Sequence, residues 1–230
     1  MADDLIVASS TALWKATGTS LKTLAVSPAH LGGLMVFSTT YLSSASLTGL
    51  SGGGCPASGS GEPGDWQRIA GPLTNASSAK IEMWMGRVTS VGAATITMTI
   101  GTTGQTTRLN CKEFATAMGG STTDWSLDGS AGSRNGTGTT DLFPSLTPAQ
   151  RDRLYVGFGT NGGAANVGSQ TSGYSLELDP GSNPFLYRPA CPSSAQAPTC
   201  TQTTNSAYYL LGALIKADDP LALTAFFLAC

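Results

Sequence analysis

Trp84–Phe114, WMGRVTSVGAATITMTIGTTGQTTRLNCKEF, decides the fold class. It holds parts of three expected β-strands joined by two glycine-containing turns. In Ala94–Ile100, Thr95, Thr97 and Thr99 alternate with Ile96, Met98 and Ile100. Successive side chains of a strand point to opposite faces, so this pattern predicts a sheet wet on one side and buried on the other. Lys80–Thr89 alternates too, with Glu82, Trp84 and Gly86 on one face and Ile81, Met83 and Met85 on the other. Arg108–Phe114 sets Leu109, Cys111 and Glu113 opposite Asn110, Lys112 and Phe114.

Outward from this stretch the same signals recur. Residues 5–26 read as two short strands, and Leu34–Leu42 as a longer one after the turn Ser27–Gly33, where Pro28 and two glycines favour a reversal. Trp66–Ala70, Arg153–Gly159, Gly173–Asp179 and Ala207–Ala217 read as further strands. The last is apolar on both faces, which predicts a central position. Gly49–Gly64, Met118–Thr140 and Pro180–Thr203 read as long loops, the second broken by a short segment around Trp125. Leu146–Asp152 offers one helical turn, with Thr147 as cap and Pro148 at the first helical position. About nine to eleven strands without an amphipathic helix predict an all-β sandwich or barrel.

Composition narrows function. Only 11% of the 230 residues are charged, against roughly 25% in an ordinary domain. Glycine, at 29 residues, and small hydroxyl side chains fill the deficit. Such a surface is cheap to desolvate and suits extended protein contact. A formal net charge of −2 provides no field for a phosphate backbone, which argues against nucleic acid as a partner. No window reaches the ~20 apolar residues of a membrane span. The acidic start Met1–Asp4 is unlike a secretory signal, so synthesis in a cytosol is expected. Five cysteines without a C-x-x-C pair argue against zinc. Cys191 and Cys200 either bridge across their loop in an oxidising medium or stay free thiols.

Catalytic signals are weak. His30 is the single histidine, it lies in a Pro/Gly turn, and no G-x-S-x-G elbow accompanies it. Glu82 and Glu113 are the one carboxylate pair that a sandwich glycosidase would use. Their simpler reading is structural, with Glu82 beside Arg87 or Arg108 and Glu113 beside Lys112 or at a strand end. Asp124, Asp128 and Asp141 are too widely spaced for a calcium loop. Trp14, Trp66, Trp84 and Trp125 read as core rather than as sugar platforms. Gly52-Gly53-Gly54 precedes no helix and so cradles no phosphate. No cofactor is expected.

A set of segments carries a resemblance. LGGLMVFS after a proline turn, a glycine-rich loop, WQRIA, and IEMWMGRVTSVGAATITMT come first. CKEF, FPSLTPAQRDRLYVGFG, SGYSLELDP and GALIKA follow. Together, over about residues 13 to 217, they resemble the virion proteins of phages infecting actinobacteria. These are jelly-roll or lectin-like sandwich modules found as capsid decoration proteins and minor tail proteins. The resemblance implies a single jelly-roll-type domain over 1–217 and a non-enzymatic structural role in the virion. It implies other virion proteins as partners and a homo-oligomer. The alternative is a carbohydrate-binding adhesin whose Gly49–Gly64 and Met118–Thr140 loops hold a host-surface glycan. Residues 218–230 read as an apolar docking arm or a last core strand. Leu221, Leu223, Phe226, Phe227 and Leu228 are the candidate interface residues.

Overall fold

The computed structural model describes residues 6–8, 14–19, 22–42, 44–101, 106–117 and 120–218. The candidate interface residues Leu221, Leu223, Phe226, Phe227 and Leu228 lie outside them. Fifteen strands and no helix occur among the described residues. They run β1 (Ile6–Ala8), β2 (Trp14–Thr19), β3 (Thr23–Val26), β4 (Leu34–Leu42), β5 (Leu47–Gly52), β6 (Gln67–Thr74), β7 (Ala79–Arg87) and β8 (Ala94–Ile100). They continue with β9 (Thr106–Thr116), β10 (Asp124–Leu127), β11 (Gly132–Leu142), β12 (Arg153–Asn161), β13 (Ser175–Leu178), β14 (Pro184–Cys191) and β15 (Thr199–Asp218).

Three antiparallel sheets stack. The central sheet has the order β1-β9-β4-β7-β6, with β2 also on β9. A small sheet, β3-β8-β5, covers one of its faces, and a large sheet, β10-β15-β12-β14-β13 with β11 also on β15, covers the other. Side-chain parity sorts the two cores. Leu34, Val36, Met83 and Phe114 meet Val156, Phe158, Phe185 and Leu211 of the large sheet. Met35, Phe37, Trp84 and Cys111 meet Leu24, Leu50, Ile96 and Met98 of the small one. Both parities of β4 and β7 are therefore apolar, as a strand buried on two faces requires. A third cluster, around Tyr155, Leu186, Leu210 and Leu214, lies on the far face of the large sheet, beneath segments carrying Phe143, Tyr174 and Cys200.

The all-β sandwich expected from the alternation is what forms, with a third layer added. Within residues 14–116 the pairing is nested: β2 with β9, β3 with β8, β4 with β7, all antiparallel. That nesting resembles a jelly roll in three of its four strand pairs. The fourth, β5 with β6, is not made; β5 pairs β8 and β6 pairs β7. β6 contains Pro72, and its register slips on either side of Ala70. Proline cannot donate to a ladder, which suits β6 to an edge. The seam between β5 and β6 stays open as a result.

Several expectations need correction. The strand count is fifteen rather than nine to eleven. The short segment expected around Trp125 is strand β10, but the rest of Met118–Thr140 is not all loop, because it supplies most of β11. β11 (GSRNGTGTTDL) has no apolar alternation to announce it; it is a strand because β15 offers it a ladder from Gly132↔Gly212 to Leu142↔Thr199. Likewise the Pro180–Thr203 excursion holds β14 and the start of β15. The helical turn at Leu146–Asp152 does not form. Its amides are claimed elsewhere: Leu146 N–H donates to the Gln196 carbonyl at 2.9 Å, and Ala149 N–H to Asp128 Oδ2 at 2.8 Å.

Candidate functional site

The candidate residues fall in four places. Glu113, fully buried on β9, accepts the Ala29 amide at 3.1 Å and the His30 amide at 2.8 Å. His30 Nδ1 lies 3.2 Å from the same carboxylate. The pair therefore locks the proline turn onto the central sheet. Among the described residues no serine or cysteine hydrogen-bonds the imidazole, so the arrangement lacks the nucleophile that a triad would need.

Glu82 lies elsewhere on that sheet. It pairs with Thr39, Thr39 pairs with Leu109, and Glu113 is four residues further along β9. Those steps amount to about 13 Å along the strand and about 10 Å across it. Glycosidase carboxylates stand roughly 5–9.5 Å apart. The two carboxylates thus do not form one site. Nor does either take the partner expected for it. Arg87 and Arg108 project from the opposite face to Glu82, since they share the parity of Met85 and Lys112, and neighbouring Lys112 faces away from Glu113. Lys112 instead crosses to the large sheet, with its Nζ 2.9 Å from Glu177 Oε1.

The aspartates are separate as well. Asp128 pairs with Arg153 at 3.5 Å. Asp124 opens β10 opposite Asp218. Asp141 is buried, accepting from Asn161 Nδ2 at 2.8 Å with the Cys200 thiol at 3.6 Å. Burial raises the Asp141 carboxyl, and the bonds from Asn161 and Cys200 only partly counter it. No cluster of three or more His, Cys, Asp or Glu side chains suited to a metal ion occurs among the described residues. Cys55, Cys111, Cys191 and Cys200 are free and buried, so the possible Cys191–Cys200 bridge is not formed. Burial pushes the Cys191 thiol up to about 11.

The most site-like feature is the open seam. A cavity of about 400 Å³ lies there, lined by Thr48, Ser58, Trp66, Arg68 and Trp84 among others. Glu82 sits beneath it. Its Oε1 accepts from the Tyr41 hydroxyl, and its Oε2 accepts from Trp84 Nε1–H at 3.0 Å. Burial first, then Glu82 itself, raises the Tyr41 phenol, which keeps it a donor. Arg68 Nη1 reaches the same Oε2 at 3.7 Å, while 45% of the Arg68 side chain remains exposed. Trp66 closes the inner wall; its Nε1–H donates to Gly52 O at 3.0 Å and its ring meets Phe37 edge-on. Gly86 makes room for it, because a Cβ there would stand 2.9 Å from Trp66 Cδ2.

Sequence reasoning singled out Glu82, Trp66 and Trp84 but missed Arg68, Tyr41, Thr48 and Ser58. Only Glu82's position on an otherwise apolar face signalled that donors must gather around it. The chain after Gly49 packs on the small sheet, with Thr89 N–H donating to Gly54 O at 2.7 Å, whereas β10 and β11 edge the large sheet. Comparison with known proteins gives no identity, since no protein family and no curated protein matches the chain.

Proposed function

We propose that this chain is a non-enzymatic structural protein of a tailed-phage virion. It is mounted on the capsid exterior as a decoration protein or built into the tail as a minor tail protein. The observation that carries the reading is the outer face of the small sheet. β3 (TLAV), β5 (LTGLSG) and β8 (ATITMTI) contain no charged residue. Thr23, Ala25, Thr95, Thr97 and Thr99 are exposed on that face, with Thr97 flanked by Ser51 on one side and Thr23 on the other. A solvated sheet face without a single charge has little desolvation to overcome when another protein covers it. The virion-like segments and the low overall charge support the same reading. A second copy of the chain or a capsid or tail subunit is the partner envisaged, with assembly in the host cytoplasm.

The test is a map of the purified particle together with a variant that introduces a charge. Many copies on the head assign decoration, and a few at the tail assign a tail protein. Thr97→Arg should leave the fold intact but abolish incorporation. A chain absent from particles, or a Thr97→Arg protein incorporated as well as the parent, would sink the proposal.

A further inference from the structure

Independently of the particle reading, we propose that residues 221–230 fold back along the outer edge of β10 and β11 of their own chain. There they run parallel to those strands and close the side of the sandwich that β11 shares with β6. The core between the central and large sheets has four partly buried apolar members, Leu73, Leu127, Ala131 and Tyr209. Leu127 lies opposite Ile215, Ala131 precedes Gly132 opposite Gly212, and Tyr209 lies opposite Asn135. Those three therefore step down one side of the large sheet, away from Asp218. Leu73 of β6 and Ala131 line one cavity of about 220 Å³, with the exposed Gly71, Pro72 and Ser133 at its rim. The core is incompletely covered along this one side.

The backbone there is also open to a further strand. Other edges are guarded. β6 carries Pro72 and two register slips. In β5, Leu50 N–H donates to Ser58 Oγ at 3.1 Å and its carbonyl accepts Ser58 N–H at 2.9 Å. Over residues 132–137 β11 has neither device, and no hydrogen bond of the described residues uses that backbone apart from the ladder to β15. An unguarded edge beside uncovered apolar side chains is a template for strand addition. Length and chemistry single out the occupant. Beyond Asp218 come Asp219 and Pro220, residues suited to a reversal, and then residues 221–230, which carry no charge and include Leu221, Leu223, Phe226, Phe227 and Leu228. From Asp218 back to the level of Tyr209 is about 30 Å along β15, and residues 221–230 span about 33 Å when extended. The segment thus reaches from Leu127 past the cavity to Tyr209, and covering that stripe buries its own apolar side chains as well.

Hydrogen exchange read by mass spectrometry tests this on the full chain and two variants. One variant ends at Asp218; the other is full-length with Phe226→Asp and Leu228→Asp. Peptides from β10 and β11 should lose protection about tenfold or more in both variants, while those from β8 stay unchanged. The substituted chain decides the matter if the shortened one does not fold. Cross-linking fixes the location: in an Asn135→Cys variant a short bismaleimide should join the new thiol to Cys230 within one chain, since the four described cysteines are buried. Thr97→Cys, on the small sheet, should give no such product. Equal exchange of β10 and β11 in all three proteins would overturn the proposal. So would a cross-linked dimer, which would put the segment on a second copy, or cross-linking at position 97 as efficient as at 135. None of these results bears on whether the chain is part of a particle.

Discussion

At the scale of single residues, buried polar groups set the sharpest tests. The Asp141 carboxyl is raised by burial, so the folded state holds its proton more tightly than the unfolded chain does. Its contribution to stability is complete below the ordinary carboxylate value and is lost as pH rises through the raised one. Asp141→Asn should remove that decline, leaving a variant at least as stable as the parent near neutrality. Urea midpoints measured from about pH 4 to about pH 8 check this, and parallel curves for the two proteins would refute it. Gly86 faces Trp66 at a separation that admits no Cβ without movement. Gly86→Val should therefore cost about 1–3 kcal/mol by overpacking, visible as a lower urea midpoint. The four described cysteines are buried thiols, so a thiol reagent should label them only after denaturant is added. Labelling before unfolding, or a Cys191–Cys200 bridge found by mass spectrometry, would contradict the packing.

At the scale of elements, central strands were legible and edge strands were not. β8 reads directly from its threonine–isoleucine alternation, and its exposure follows that alternation residue by residue. β15 announces itself by being apolar on both faces, and β4, β7 and β15 are all flanked by strands on both sides. β11 had no such signal, since a ladder needs only backbone and its glycines, serines and threonines lie largely in solvent. The link between the central and large sheets gives this scale its prediction. Lys112 and Glu177 pair at 2.9 Å with Tyr187 OH donating to the same oxygen at 3.1 Å, and Lys112 carries little exposure. Removing one partner leaves a charge without its mate at the sheet interface, so Lys112→Ala should cost roughly 3–5 kcal/mol. The double variant Lys112→Met with Glu177→Leu should recover most of that loss in the same denaturation assay. Equal losses in the single and double variants would show that packing, not charge, governs the position.

For the whole molecule, the three-layer stack dictates where stability and contact reside. The central sheet is covered on both faces, so its amides in β4 and β7 should exchange last, with the threonine-faced small sheet opening earlier. Hydrogen exchange read by mass spectrometry checks this order; earlier protection loss in β4 than in β3 would contradict it. The outer face of the small sheet is uncharged along all three strands. A surface change such as Thr97→Lys should thus leave stability within about 0.5 kcal/mol while altering association.

The sequence by itself determined the all-β class, the alternation of β8 and the double-sided burial of β15, because period-two patterning depends only on local chain geometry. It also singled out Glu82, as one of two candidate carboxylates. Tertiary structure alone decided which carboxylate meets which partner, since that depends on strand order and on the face each side chain takes. It decided too that β5 and β6 stay unpaired. The open seam, with Arg68 from one strand held above Glu82 from the next, follows from that pairing and from no local pattern in the chain.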